Sequence, residues 1–421
     1  MPFDLIIIGG GPAGYHAAVL AGRAGLQTLL IEERAVGGVC LNEGCIPSKT
    51  WLHSAKIYQE ALKGSIYGVQ TERLSLDHAK VMARKNKVVK ILTAGIKQKL
   101  QKYQVTLVEA AGKIAGRAES GFQVEAAGEL YTGKRLLIAT GSKPVVPPIP
   151  GLQAALENGY ALTSTEIFNL ATIPSSLVVI GGGAIGLEMA SYFNAAGSKV
   201  TVVELQAQIG GAIDAELAGI LQRNLEKQGV AFRLQAQVTA VRAGSVQVSA
   251  GEQAEELAAE KVLLSTGRRP SLDGLGLETI GLQPEEGRLR IDEYGRCTPD
   301  GVYAAGDVTG RSMLAHTAYR EAEICIAHLL GRAETINYQA IPAVIYTDPE
   351  LASVGETPAS AAAKGLNFEV ISTSMRYSGR YLAETEGGDG LCKLVISLPD
   401  RRLLGVHLLS RYASELIYGA G

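Results

Sequence analysis

Asp4-Leu-Ile-Ile-Ile8-Gly9-Gly10-Gly11-Pro12-Ala13-Gly14 is the stretch whose reading decides the fold. Its apolar half has no polar alternation, so it reads as a parallel strand buried on both faces. It ends abruptly in glycine and passes into a helix rich in small residues. Gly9 allows a tight turn, Gly11 lets the backbone approach a pyrophosphate, and Gly14 lets the helix pack close to the strand. The free N–H groups at the helix start suit phosphate oxygens. A second strand, Thr28 to Ile31, leads to Glu32, an acid placed where a ribose hydroxyl is expected.

The same grammar recurs. Ser176-Leu-Val-Val-Ile180 precedes Gly181-Gly182-Gly183-Ala184-Ile185-Gly186, and Val200 to Val203 precedes Glu204. Gly181, Gly183 and Gly186 repeat the roles of the first three glycines. Two βαβ copies imply two dinucleotide sites. An acid at Glu204 accepts from a free 2′-hydroxyl and repels a 2′-phosphate, and no Arg or Lys adjoins it, so the second site reads as NAD-binding. The competing reading of Glu204 is a solvated strand end. Each copy closes on a buried strand ending in glycine with Pro soon after: Leu136 to Gly141 to Pro144, and Val262 to Gly267 to Pro270. Pro144 to Pro150 reads as a linker. From about Ala340, short strands such as Leu391 to Ile396 and Leu403 to Leu408 indicate a further α+β domain.

The 421 residues exceed one ordinary core, and 50 glycines suit many strand-to-helix turns. Charge is nearly balanced, 40 basic against 42 acidic, so composition points to no nucleic acid or anionic membrane as partner. No signal peptide or apolar span is evident, and the chain reads as cytoplasmic. The five cysteines are Cys40, Cys45, Cys297, Cys325 and Cys392. Cys40 and Cys45 lie in Gly37-Gly38-Val39-Cys40-Leu41-Asn42-Glu43-Gly44-Cys45-Ile46-Pro47-Ser48-Lys49. In an ideal helix their spacing gives about 7.5 Å of rise, while a disulfide needs Cα atoms within about 7 Å. The segment is therefore expected to be irregular at its start, where Gly37 and Gly38, with Gly44 further on, permit it. No second C-x-x-C or His pair completes a zinc site, and no metal is expected. Two inert core cysteines are the other reading.

Cys40-Leu-Asn-Glu-Gly-Cys45-Ile-Pro-Ser-Lys49 resembles the redox-active segment of the pyridine nucleotide-disulfide oxidoreductases. Ala304-Ala305-Gly306-Asp307, Ala315-His316-Thr317-Ala318 and Tyr346-Thr347-Asp348-Pro349-Glu350 resemble further motifs of that family, and the match runs along essentially the whole chain. The resemblance implies an α/β flavoprotein with two Rossmann-like dinucleotide-binding domains and a C-terminal α+β dimerisation domain. It places FAD on residues 1–145 and 271–338, NAD on 146–270 and a homodimer interface on 339–421. FAD is expected against Gly9, Gly11, Gly14, Glu32, Lys49, Gly141, Asp307 and Ala315. NAD is expected against Gly181, Gly183, Gly186, Glu204 and Gly267.

The resemblance further implies that Cys40 is the interchange thiol and Cys45 the thiolate beside the flavin. Lys49 is expected near the flavin and paired with Glu188. His316 is expected to cap or pack at a helix start, and Cys297, Cys325 and Cys392 to be ordinary. With an NAD-type acid, the segment is most similar to family members that oxidise protein-bound dihydrolipoyl groups. The implied partner is then a lipoyl domain of a 2-oxo acid dehydrogenase complex or a glycine cleavage H protein. The alternatives are another disulfide reductase of the family and a non-catalytic flavin-binding subunit. The family pattern also includes a closing His-Pro-x-x-x-Glu segment whose His is a general base. The sequence given ends at Tyr418-Gly-Ala-Gly421, with no His after His407.

Overall fold

The apolar runs singled out above become strands in the computed structural model, which describes residues 2–421. The chain divides into two units. The first comprises residues 1–47, 85–145 and 268–336. Its central strand is Phe3–Ile8, paired in parallel with Thr28–Glu32 on one side and Glu129–Ile138 on the other. Thr106–Glu109 extends the first edge, and an antiparallel meander, Lys113–Ala118 and Gly121–Ala126, extends the second. Val302–Ala304 also joins Glu129–Ile138 in parallel. Helices Pro12–Arg23 and Ala315–Leu329 pack together through small residues such as Ala17, Ala18 and Ala322. The chain therefore reverses strand order at Phe3–Ile8, and in open α/β sheets ligands bind at the carboxyl ends of the strands at such a point.

The second unit comprises residues 48–84, 146–267 and 337–421. Its parallel sheet runs in the order Ala231–Arg233, Lys199–Val203, Ser176–Ile180, Lys261–Leu264, Ala161–Leu162. A three-stranded antiparallel meander, residues 237–258, lies on one core, with Val238, Val246 and Val248 buried. The last part of the unit is a five-stranded antiparallel sheet built from Ala343–Ile345, Glu350–Gly355, Leu403–Ser410, Leu391–Ser397 and Phe368–Ser374.

Strand Leu403–Ser410 is buried along most of its length. It takes His407 fully inside, where Nε2 bonds the Glu356 carbonyl and burial pulls the imidazole pKa down. Beside it Lys393 is buried against Asp214 and Glu216, each at 2.7 Å. Among the described residues no helix is long and apolar enough to cross a membrane.

Candidate active site

The two glycine fingerprints fold alike. Gly9 and Gly181 sit at φ +102° and +105°, which glycine adopts without strain. Helices Pro12–Arg23 and Ala184–Ala195 each run 12 residues from a glycine cap. Those caps, Gly11 and Gly183, have nearly the same backbone angles, −70°/−172° and −74°/−178°. The two acids do the same work. Glu32 Oε2 accepts from the Gly10 N–H at 2.6 Å, and Glu204 Oε2 accepts from the Gly182 N–H at 2.6 Å. Glu32 Oε1 takes a further bond from the Arg34 N–H, and Glu204 Oε1 from the Gln206 N–H. Each carboxylate thus anchors the glycine loop to the end of the neighbouring strand.

The loops have the room that a dinucleotide needs. A Cβ built on Gly183 meets nothing within 4 Å, and one on Gly11 meets only the Gly38 Cα at 3.9 Å. Gly141 and Gly267, at φ +70° and +105°, face open space in the same way. A third wall of the first site comes from Asp307, which begins a short helical turn after Gly306. Its carboxyl accepts from the Ser142 hydroxyl, and burial raises its pKa against the pull of Ser142 and Arg268. Arg268 in turn donates to the Ser142 hydroxyl at 2.8 Å and to its carbonyl at 2.7 Å. These residues fit FAD and NAD. The buried acid and open glycine loop of the first unit suit a ribityl chain and pyrophosphate, and Glu204 with Gly183 suits an adenosine ribose.

Cys40 lies in a short helix, Gly38–Glu43, and Cys45 opens a long one, Cys45–Leu62. The break falls between the cysteines at Gly44 (φ −148°, ψ −110°), with Gly37 in the left-handed region ahead of it. The irregularity expected at the start of the segment is therefore also present inside it. Both cysteines are half-buried. The segment is tied down by Arg34, which donates to Glu43 at 2.7 Å, and by Asn42, whose amide donates to the Gly38 carbonyl at 2.9 Å.

Lys49 stands one turn after Cys45 in its helix, and its Nζ donates to both oxygens of Glu188 at 3.0 and 3.1 Å. The Glu188 side chain is 7% exposed and that of Lys49 36%. Glu188 also accepts from the Tyr346 N–H at 3.2 Å, and the Tyr346 ring lies 4.1 Å from Nζ. Removing the ammonium alone would strand a buried carboxylate. Lys49→Met is expected to cost about 1–3 kcal/mol, below the full value for a buried pair because Lys49 is partly exposed. The double variant Lys49→Met/Glu188→Gln should recover most of that loss. Urea unfolding midpoints check it, and fully additive losses would refute a coupled pair.

Ala315 is the first residue of helix Ala315–Leu329. The cap position is Leu314, whose side chain makes no capping bond, and His316, the second residue of the helix, is exposed. Cys297 and Cys325 are buried, the first with its thiol pKa pushed up to about 12 and the second well above the ordinary thiol value. Burial also raises the half-buried Cys392.

Three features escaped the sequence. Arg268 and Ser142 meet because the two chain closures, Ser142–Pro144 and Arg268–Pro270, pair as an antiparallel ladder. Their matching Gly-x-x-Pro layout was the available signal. Tyr346 against Lys49 had none beyond its motif. The Tyr15 and Tyr319 hydroxyls bond to each other, and burial, then that bond, then the nearby Cys40 and Cys45 raise the Tyr15 pKa.

Comparison with known proteins agrees with this geometry. Residues 3–322 match the family described as pyridine nucleotide-disulphide oxidoreductase, and residues 341–421 match its dimerisation domain. The chain is 39% identical to mitochondrial dihydrolipoyl dehydrogenase of Pisum sativum, covering 99% of this chain and 84% of that protein. It is 37% identical to dihydrolipoyl dehydrogenase 3 of Pseudomonas aeruginosa, covering 99% and 90%. Its structure resembles that of RclA, an HOCl-induced flavoprotein disulfide reductase from Escherichia coli, with TM-score 0.87, 28% identity, and 99% and 92% of the chains covered. The chain belongs to the pyridine nucleotide-disulphide oxidoreductases, flavoproteins that use FAD and NAD(H) around a disulfide redox centre.

Proposed function

We propose that the protein is a dihydrolipoyl dehydrogenase that oxidises protein-bound dihydrolipoyl groups and delivers the electrons to NAD+. The observation that carries this reading is a Cys40/Cys45 segment combined with an acid, Glu204, that anchors the second glycine loop. The two dihydrolipoyl dehydrogenases named above support it.

In this reading Cys40 and Cys45 form the redox disulfide. One thiolate of the substrate attacks Cys40, and Cys45 leaves as a thiolate. The second substrate sulfur displaces Cys40, closing the lipoyl ring and leaving both cysteines reduced. FAD, when bound, would supply the redox chemistry that carries the two electrons on to NAD+, so that each turnover would convert dihydrolipoyl and NAD+ into lipoyl, NADH and one proton.

Cys45, released as a thiolate at the start of helix Cys45–Leu62, is the sulfur that would pass the electrons to bound FAD. Glu188 keeps the Lys49 ammonium paired and fixed, and Lys49 is the cation that would serve bound FAD. Asp307 and Glu32 would hold hydroxyls of FAD, the Gly9–Gly14 loop would take its pyrophosphate with Gly141 leaving room, and Ala315 begins a helix whose positive end would favour a reduced, anionic flavin. Gly181, Gly183, Gly186 and Gly267 would do the same for NAD, with Glu204 holding the ribose. We assign residues 1–145 and 271–338 to FAD, 146–270 to NAD and 339–421 to a homodimer interface.

Steady-state oxidation of dihydrolipoamide with NAD+ tests the proposal. Failure to turn it over, alongside efficient reduction of another disulfide, would replace it with a different reductase of the family. The likeness to RclA is what favours that second reading.

The nucleotide preference is a separate expectation. A 2′-phosphate beside Glu204 adds like charge in a half-buried groove, at a cost of about 3 kcal/mol, or roughly 10²-fold in kcat/KM. NADH should exceed NADPH by that margin, and Glu204→Arg should narrow it. A native preference for NADPH would overturn the assignment of Glu204.

A further inference from the structure

The helix His78–Lys102 holds eight lysine and arginine residues and no acidic one in 25 positions, in a chain whose charges nearly balance overall. Such a composition does not serve the helix itself. Like charges recur at neighbouring positions, Arg84/Lys87, Lys87/Lys90 and Lys99/Lys102, each pair destabilising by about 0.2–0.5 kcal/mol. The first turn carries no acid, so the cations of the first half also oppose the helix dipole. Lys97 pairs with Glu109, whereas among the described residues Lys87, Lys90 and Lys99 make no ion pair. Ile91, four residues from Lys87 and thus on its face, is 59% exposed. Alongside runs a groove of about 380 Å³ lined by Val89, Lys90, Thr93 and Asn42, the last only two residues from Cys40. From Lys87 to Lys102 the face is about 22 Å long, the scale of a protein interface rather than of a small ligand.

We propose that this face is the docking surface for an acidic protein domain that carries the dithiol. The proposal rests on the dihydrolipoyl reading given above. The cations steer the acidic domain toward the redox segment, Ile91 gives the patch an apolar centre, and the groove beside Asn42 leads along the face toward the Cys40 helix. An acidic protein is favoured over a nucleic acid because phosphates need only the cations and leave the exposed isoleucine unused.

The test compares the FAD-loaded protein with its Lys87→Glu/Lys90→Glu variant on two substrates. One is free dihydrolipoamide and the other a separately lipoylated carrier domain of net negative charge. Charge reversal should raise KM for the carrier domain about tenfold, the scale of lost steering, and leave kcat and both constants for free dihydrolipoamide within twofold. Raising the salt should raise KM for the domain in the unmodified protein and change it little in the variant. If the double reversal folds poorly, Lys87→Gln/Lys90→Gln should show the same pattern with a smaller rise.

Equal KM values for the carrier domain in variant and unmodified protein overturn the docking surface. So does a reversal that abolishes binding of a DNA duplex while KM for the domain stays put. No turnover of free dihydrolipoamide by the unmodified protein overturns the substrate reading itself, and the dithiol-bearing partner with it.

Discussion

Replacing Cys45 with Ser should lower dihydrolipoamide turnover by about 10³-fold or more, the scale on which loss of a covalent participant acts. The same change should remove the long-wavelength absorbance that partial reduction of the FAD-loaded protein is expected to give. Cys40→Ser should abolish turnover equally yet keep that absorbance, without added reductant. The asymmetry follows from position. Cys45 opens the long helix Cys45–Leu62, where the N-terminal partial charge favours a thiolate. Cys40 lies in the middle of the preceding six-residue helix, on the far side of the Gly44 break. Stopped-flow spectra of the two variants settle the roles. An absorbance retained in Cys45→Ser and lost in Cys40→Ser would reverse them, and turnover retained in both would dismiss the pair from catalysis.

Reduction of artificial acceptors by NADH offers a control for these variants. It draws on the glycine loops and not on the cysteines, so both variants should keep it. A variant that loses it as well has lost its cofactor or its fold, and its lipoamide result then says nothing of the sulfur chemistry.

The strands of both glycine units were legible because burial on both faces writes itself as an uninterrupted apolar run, and the turn that ends each strand needs glycine. Leu5 to Ile8 and Leu177 to Ile180 are nearly fully buried, as their composition requires. The segments 237–258 and 368–374 were harder to read, since exposed meander strands such as Gln253–Ala258 carry no such run. The site divides along the same line. Glycine loops and strand-end acids are local, set by 22 residues of separation or fewer, and so appear as motifs. Arg268 on Ser142 and Tyr346 on Glu188 join residues 126 and 158 apart. Beyond the matching Gly-x-x-Pro layout around Ser142 and Arg268, nothing in the neighbourhood of the partners encodes such a meeting, because it depends on how distant segments close against one another. The position of the break in the cysteine segment fell between these cases. The glycines were visible, but which of them would interrupt the helix depended on Asn42 holding the Gly38 carbonyl and on Arg34 holding Glu43.

The glycines of one fingerprint should fail in opposite ways, and that contrast separates folding from binding. A Cβ at Gly186 would lie 2.1 Å from the Gly181 carbonyl oxygen, which is backbone and cannot rotate away. Gly186→Ala must therefore push helix Ala184–Ala195 off strand Ser176–Ile180, at a cost of about 3 kcal/mol or more. Gly14→Ala is worse placed, 1.7 Å from the Gly9 carbonyl oxygen, and should yield little folded protein. Gly183→Ala meets nothing and keeps an ordinary φ of −74°. Its stability cost is that of a poorer helix cap, about 1 kcal/mol or less. Its methyl group, however, would stand where the pyrophosphate approaches, so the Kd for NADH should rise by tenfold or more while bound FAD is retained. Unfolding curves and NADH titrations of Gly183→Ala and Gly186→Ala make the comparison. If Gly183→Ala binds NADH with unchanged Kd, the second fingerprint is a packing device and not the nucleotide site. If Gly186→Ala unfolds like the unmodified protein, the close approach of helix and strand is not what the third glycine provides.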